Sequence, residues 1–186
     1  MRGDYMRDDI ARILLTEEMI QKRVKELGEQ LSKDYAECGD DVMLVCILKG
    51  AVMFFSDLAR AVSIPLQIDF MGISSYGNEQ KTSGIVRITK DIDASITGKH
   101  VIIAEDIMDS GLTLKHLTKL LSSRNPASLK TCCLLDKPKR RECDITPDYY
   151  GFVIPNEFVV GYGLDYMGIY RNLPFVGVLK PSVYSE

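Results

Sequence analysis

The chain has 186 residues, of which 46% are hydrophobic and 26% are charged, with a formal net charge of −3. This length fits a single globular domain, and this composition excludes a disordered chain. Proteins that hold nucleic acid by their overall field are usually basic, so the negative balance disfavours that class. The most apolar region, residues 42–55, is interrupted by Lys49 and Gly50 and is too short to span a bilayer.

The five cysteines indicate the redox environment. Their number is odd, and no pair has the spacing of a CxxC motif. Cys46, Cys132 and Cys133 lie inside apolar runs, so we expect reduced, buried thiols of the kind found in cytosolic proteins. The first residues carry charge where a signal peptide needs an apolar stretch, so we expect a cytoplasmic protein.

The first half of the chain predicts alternating helices and strands. Apolar residues at spacings of three and four predict a helix over residues 16–35, with Thr16 as its N-cap. The continuous apolar run 42–48 predicts a strand buried on both faces, and a helix follows over residues 51–62. Residues 66–73 and 85–89 are predicted strands. The polar segment 74–84 between them contains two glycines, and we expect it to be a mobile loop.

The second half repeats the alternation. Residues 100–104 and 129–135 are predicted buried strands, separated by a polar turn at 105–112 and a helix at 113–123. Two further short strands are predicted at 151–154 and 175–179. The pattern indicates an α/β domain with a mainly parallel, twisted sheet flanked by helices. Ligands of such sheets bind at the carboxyl ends of strands, so we expect the site at the turns after Leu48, Ala104 and Leu135.

The turn after residues 100–104 carries a distinctive set of side chains. Three carboxylate residues follow the predicted strand, and two hydroxyl residues with a glycine between them stand at the start of the predicted helix. These residues are Glu105, Asp106, Asp109, Ser110, Gly111 and Thr113. The glycine, the hydroxyls and the helix N-terminus form a phosphate cradle. Carboxylates would repel a phosphate but suit sugar hydroxyls or a divalent metal. The run therefore indicates a ribose phosphate.

Two other interpretations of the same residues remain open on local chemistry alone. One is an acidic N-cap cluster on an ordinary helix. The other is a phospho-accepting response regulator, which also places a carboxylate pair at a strand end. The second is disfavoured because it needs further acids on a short N-terminal strand and a shorter chain.

Residues 101–113 resemble the phosphoribosyl pyrophosphate motif of the type I phosphoribosyltransferases. The motif has four apolar residues, two acids, two apolar residues, then Asp, Ser or Thr, Gly, any residue and Thr, and every position fits. Beyond this motif, residues 13–179 resemble the bacterial hypoxanthine branch of the family. The likeness implies one domain over residues 1–186, with a small hood formed by the chain ends. It also implies Mg²⁺ as cofactor and transfer of phosphoribose to hypoxanthine or guanine.

The resemblance implies a role for each site residue. Phosphoribosyl pyrophosphate and pyrophosphate would be held by Lys49, Gly50, Asp109, Ser110, Gly111, Leu112, Thr113 and Arg171. Members of the family often have a cis peptide before the lysine. Asp109 would be the catalytic base. The purine would contact Lys137, Phe158, Val159 and Asp165. Residues 74–84 would form a lid that begins with Ser74, Ser75 and Tyr76. The metal would lie near Glu105, Asp106 and Asp165.

The resemblance also leaves points open. Leu112 stands where some relatives carry lysine, and residues 1–12 have no assigned counterpart. His100 and His116 match no functional position and are interpreted as structural. The family likeness implies a homodimer or homotetramer that binds small molecules, with no nucleic acid and no membrane. A ligand-sensing regulator that binds nucleic acid, and an enzyme for xanthine or adenine, remain alternatives.

Overall fold

The structure is a computed structural model, and it describes residues 5–75 and 86–185 of the chain. In chain order the elements are α1 (Tyr5–Asp8), β1 (Ile10–Leu15), α2 (Glu17–Asp34), β2 (Val42–Leu48), α3 (Val52–Ala61), β3 (Gln67–Ser75), β4 (Val86–Lys90), β5 (His100–Met108), α4 (Leu112–Ser122), β6 (Ser128–Asp136), a 3₁₀ turn (Pro138–Arg140), β7 (Tyr149–Val153), β8 (Val159–Val160), β9 (Val176–Leu179) and α5 (Pro181–Tyr184).

A six-stranded sheet forms the centre of the molecule, with the order β4-β3-β2-β5-β6-β7. All neighbouring strands pair in parallel except β3 and β4, which are antiparallel. The predicted α/β architecture is therefore confirmed. Strand β2 is buried on both faces: Leu44 packs with helices α2 and α3, whereas Val45 packs with α4 on the opposite side. This explains why its sequence is continuously apolar.

A second, smaller sheet has the order β1-β9-β8 and is antiparallel. It corresponds to the hood expected from the chain ends. Two of its strands, β1 and β8, were not predicted because they are short and lack a clear alternation. Asp8 and Asp9 directly precede β1. Asp8 ends α1 and Asp9 lies just before this small sheet, not in the central one, so they do not add to the acid pair as a response regulator would require.

Two predicted boundaries are wrong. Residues 105–108 were expected in a turn, but β5 continues to Met108, because Ile107 and Met108 stay paired with Leu135 and Asp136 of β6. Glu105 and Asp106 therefore lie within a buried strand. Strand β3 likewise extends through Ser74 and Ser75, which were expected in the lid. The rest of that segment, including Tyr76, lies outside the described residues.

The first long helix and its neighbour follow the sequence prediction closely. The Thr16 hydroxyl accepts a hydrogen bond from the Met19 N–H at 3.3 Å, which confirms the N-cap. Gly28 of α2 lies against Ala61 of α3, where a Cβ on the glycine would approach the alanine Cβ to 2.5 Å. Helix α3 begins two residues after Gly50, and Ala61 lies at the opposite end of this helix. In the described part of the chain, no helix has the length and apolarity needed to cross a membrane.

Candidate active site

The loop after β2 packs directly against the acid pair of β5. The peptide bond between Leu48 and Lys49 is cis. A side chain at Gly50 would collide with Asp106, because its Cβ would lie 1.7 Å from the Asp106 Oδ2 atom. Lys49 lines a cavity of about 370 Å³ together with Lys90 and Arg171. Three cationic residues therefore surround the space next to this loop, which suits a polyanionic ligand.

Glu105 and Asp106 form a buried carboxyl pair, exposed by 9% and 8%. Burial raises the pKa of Glu105, and the neighbouring charge of Asp106 raises it further. Burial also raises the pKa of Asp106, although hydrogen bonds from Glu105 and the Ile107 N–H, together with the charge of Arg171, oppose this shift. Among the described residues, Glu105 Oε2 is the one buried side-chain oxygen or nitrogen without a hydrogen-bond partner.

The residues that were predicted to form a phosphate cradle lie at the N-terminus of α4. Gly111 has a φ of 82°, a conformation that favours glycine, and it precedes the first helical residue, Leu112. A Cβ there would lie within 3.0 Å of the side chains of Arg141, Cys143 and Ile145. A cavity of about 190 Å³ is lined by residues of this turn and of the acid pair; they include Glu105, Asp106, Asp109, Ser110, Gly111 and Thr113. The structure thus brings both halves of the motif to one cavity.

Lys137 is buried next to Asp109. Its exposed fraction is only 7%, and its backbone N–H donates to the Met108 carbonyl at 2.9 Å. Burial lowers the pKa of Lys137, whereas the charge of Asp109 raises it and that of Arg140 lowers it. Asp109 Oδ1 also pairs with Arg140 Nε at 3.1 Å. Lys137 is therefore not part of a solvated basic face, although it stands in the basic run of residues 137–141.

Arg141 is a structural contributor that sequence reasoning missed. Its side chain is 13% exposed and pairs with Asp136 at the end of β6. Its Nη1 atom donates to the carbonyls of Met108 at 3.2 Å and Asp109 at 2.8 Å, and so fixes the backbone that carries the predicted base. No pattern distinguished Arg141 from its neighbours in the basic run 137–141.

The hood carries the remaining predicted purine contacts. Val159 lies in β8 and is 6% exposed, whereas the Phe158 ring is 39% exposed. Tyr184 stacks on the Phe158 ring with centroids 4.9 Å apart, and Tyr166 meets it edge-on at 5.6 Å. Asp165 Oδ1 pairs with Arg171 Nη2 at 2.6 Å. Arg171 thus pairs with Asp165, and its charge also opposes the rise that burial causes in the pKa of Asp106.

The carboxyl groups of Glu105, Asp106 and Asp165 can be compared with the set of oxygen ligands that a magnesium ion needs. Within residues 5–75 and 86–185, no three His, Cys, Asp or Glu side chains are grouped so that they could hold a metal ion by themselves. The structure pairs Asp165 with Arg171 instead of bringing it into contact with Glu105 and Asp106. Two adjacent carboxyl groups, one of them with an unpartnered oxygen, fit an ion that arrives already chelated by a phosphate ligand.

Comparison with known proteins identifies the family. Residues 12–167 match the phosphoribosyl transferase domain. The chain belongs to the type I phosphoribosyltransferase family. The hypoxanthine-guanine phosphoribosyltransferase of Mycobacterium bovis is 53% identical over 180 residues, which cover 95% of this chain and 89% of that protein. The corresponding enzyme of Bacillus subtilis is 50% identical over 181 residues, covering 97% and 99%.

A solved structure gives the same result for the fold of this phosphoribosyltransferase. The crystal structure of a hypoxanthine phosphoribosyltransferase from Staphylococcus aureus superposes with a TM-score of 0.93 at 51% identity, and the match covers 100% of both chains. The type I phosphoribosyltransferase fold, inferred from the residues 101–113, is thus confirmed. The five cysteines are free, and Cys46, Cys132 and Cys133 are buried as predicted.

Proposed function

We propose that this enzyme transfers the 5-phosphoribosyl group from phosphoribosyl pyrophosphate to hypoxanthine or guanine, giving IMP or GMP and pyrophosphate in purine salvage. The observation that carries the proposal is the convergence of three groups at the ends of β2, β5 and β6. These are the loop of Lys49 and Gly50, the cradle of residues 109–113, and the buried pair of Lys137 and Asp109. Each suits one part of the reaction.

The donor would lie between the cradle and the loop. The hydroxyls of Ser110 and Thr113, the backbone at Gly111 and Leu112, and the N-terminus of α4 would hold the 5-phosphate. Lys49, the backbone of Gly50 and Arg171 would hold the pyrophosphate and neutralise the charge that develops as it leaves. The ribose hydroxyls would then face the carboxyl groups of Glu105 and Asp106.

Magnesium is the cofactor we propose. When bound, it supplies Lewis-acid stabilisation of the leaving pyrophosphate. Glu105 and Asp106 would orient the ribose hydroxyls and the water molecules around the ion, and Asp165 would do so from the hood side. The orphaned Glu105 Oε2 atom supports this assignment because it offers an acceptor that no described residue uses.

The purine would be recognised and activated by residues that follow β5 and β6 and by residues of the hood. Lys137 would donate to the 6-oxo group, Phe158 would stack on the ring, and Val159 would bind the base edge through its backbone. Asp109 would accept the proton from the ring nitrogen as the base attacks the cation-like ribose C1. The burial of Lys137 next to Asp109 supports this division of roles.

We also propose a lid, a cellular compartment and an oligomeric state. The segment 74–84, with Ser74, Ser75 and Tyr76 at its start, would cover the reaction and exclude water. The reduced, buried thiols support a cytoplasmic enzyme that acts on small molecules. A homodimer or homotetramer, without nucleic-acid or membrane partners, would be the working form.

A panel of free bases tests the function. Hypoxanthine, guanine, xanthine and adenine are each mixed with phosphoribosyl pyrophosphate, and pyrophosphate release is measured with magnesium and with excess chelator. We expect release with hypoxanthine or guanine and none in chelator. Turnover with adenine alone would contradict the choice of base, and full turnover in excess chelator would contradict the role of magnesium.

A further inference from the structure

One hood turn, residues 161–164, meets the pyrophosphate loop through the backbone. A Cβ at Gly163 would lie 2.0 Å from the Gly50 carbonyl oxygen, so the two backbones are in direct contact. The Gly163 carbonyl accepts a hydrogen bond from Arg171 Nη1 at 2.6 Å, and the Gly163 N–H donates to the Arg171 carbonyl at 2.9 Å. The position of this turn therefore sets both Arg171 and its distance from Gly50.

The turn has an unfavourable backbone conformation. Gly161, Tyr162 and Gly163 have positive φ angles of 97°, 48° and 103°. Two of these residues are glycines, which adopt such angles readily, but a tyrosine does so at a cost in free energy. Something in the surroundings must therefore hold Tyr162 in this conformation.

The side chain of Tyr162 supplies that restraint. It is 5% exposed, and its hydroxyl donates to Asp57 Oδ2 at 2.5 Å. Asp57 lies in α3, the helix that follows the pyrophosphate loop, and is itself held by Gln21 of α2 and Arg60. Burial and the bond to Asp57 raise the pKa of Tyr162, so the phenol stays a hydrogen-bond donor. The helix that follows the pyrophosphate loop is thus connected to this hood turn through the Tyr162 hydroxyl.

We propose that Tyr162, anchored on Asp57, is a positioning residue that fixes the distance between Arg171 and the Lys49–Gly50 loop and so sets the affinity for the pyrophosphate group. This inference rests on the proposed function, because it takes that loop and Arg171 as the pyrophosphate site. Tyr162 itself touches neither substrate. It acts through Gly163, which contacts Gly50 on one side and Arg171 on the other.

The variant Tyr162→Phe tests the inference because it keeps the buried ring and removes only the hydroxyl. Asp57 retains Gln21 and Arg60 as partners, so the fold should persist. We expect the KM for phosphoribosyl pyrophosphate, and the Kd for magnesium pyrophosphate measured by calorimetry, to rise about tenfold. The KM for hypoxanthine should change less than about twofold, because the purine contacts lie elsewhere.

Tyr149→Phe is the matched control. Its hydroxyl makes an equivalent bond to Asp34 Oδ2 at 2.9 Å, but it joins β7 to α2 away from the cleft. We expect a similar change in melting temperature with no change in pyrophosphate affinity. Asp57→Asn keeps an acceptor oxygen for Tyr162 and should retain most of the affinity that Tyr162→Phe loses.

Two outcomes would overturn the inference. One is an unchanged pyrophosphate Kd in Tyr162→Phe, and the other is an equal rise of KM for both substrates, which indicates a general structural defect. Failure of the proposed function is seen separately, since the wild-type protein would then release no pyrophosphate from phosphoribosyl pyrophosphate with any base. The Kd for magnesium pyrophosphate needs no turnover and still tests the positioning role.

Discussion

Asp109 is the residue for which the chemistry predicts the largest single effect. Asp109→Asn keeps the size of the side chain and an acceptor for Arg140, but removes the group that would take a proton from the purine. Loss of a general base typically costs about 10²–10⁴-fold in rate, so kcat should fall within that range. Donor affinity should change little. The exposed Asp144→Asn is the control, and a fall in kcat of under about threefold would return Asp109 to a structural role.

Lys137 provides a test of base selection. A buried ammonium facing the amino group of adenine would lack an acceptor, so the wild-type protein should prefer hypoxanthine by at least about tenfold in kcat/KM. Lys137→Gln should reduce this preference, mainly by impairing hypoxanthine, because an amide can present either its oxygen or its nitrogen. Lys139→Gln changes an exposed lysine of the same basic run and should leave the ratio of the two kcat/KM values unaltered. An unchanged ratio in Lys137→Gln would remove Lys137 from the base site.

Gly50 has no space for a side chain on the side of the acid pair. Gly50→Ala would push its methyl group into the Asp106 carboxyl, to 1.7 Å from the Oδ2 atom if nothing moved. We expect the KM for phosphoribosyl pyrophosphate to rise at least about tenfold as the loop or the acid moves. Gly28→Ala is similarly crowded, at 2.5 Å from Ala61, but lies between α2 and α3. It should lower the melting temperature while its effect on this KM stays small.

At the scale of elements, the proposed lid is accessible to a direct experiment. Its sequence is polar and contains Lys81, a cleavage site for trypsin. If the segment closes over bound ligands, cleavage at Lys81 should slow when phosphoribosyl pyrophosphate and an unreactive purine analogue are both present. The analogue alone provides the comparison. Equal cleavage rates under all conditions would argue against a lid at residues 74–84.

The central sheet could be predicted from sequence because its inner strands β2, β5 and β6 each contain a buried apolar run. Where a strand continues into polar residues, the prediction ended too early, as at Glu105 and Asp106. The backbone of these residues stays in the strand because it pairs with β6, and no local sequence pattern reveals this pairing. The hood strands β1 and β8 were missed for a related reason, because both are defined by pairing with β9. For β1 this partner lies at the other end of the described chain.

The sequence predicts the motif residues of the candidate site, but it does not predict the groups that contact them and hold them in place. Residues 101–113 match a long pattern, so Asp109 and its neighbours could be assigned. Arg141, Tyr162 and Asp57 act through contacts with distant parts of the chain, at sequence separations of 33 for Arg141 to Met108 and 105 for Tyr162 to Asp57. Such contacts depend on the folded geometry and leave no periodic signal.

At the scale of the whole molecule, Asp69 makes the free energy of unfolding fall as the pH becomes acidic. Burial by itself raises its pKa, but N–H groups of Phe70, Ala94 and Asp93, and the charge of Lys90, lower it below the ordinary value. A depressed pKa means that the ionised group stabilises the fold above the unfolded pKa of about 3.9, and that this contribution is lost as the pH falls below it.

Asp69→Asn should therefore lower the melting temperature at pH 7, and the difference from wild type should shrink as the pH falls towards about 3. Thermal unfolding followed by circular dichroism at several pH values measures this. Asp40→Asn alters an exposed aspartate and serves as the control. A constant difference for Asp69→Asn across the range would mean that its hydrogen bonds do not favour the ionised form.

The pairing of β1 with β9 has a consequence for synthesis on the ribosome. Ile10 pairs with Leu179, so the hood cannot close until residue 179 has been made. All six strands of the central sheet precede residue 154, and they carry the cradle and the pyrophosphate loop. A nascent chain that has reached residue 154 can thus assemble these parts of the cleft before Phe158 and Arg171 have been made. The hood residues proposed to contact the purine would then be the last part of the cleft to be positioned, when β9 pairs with β1.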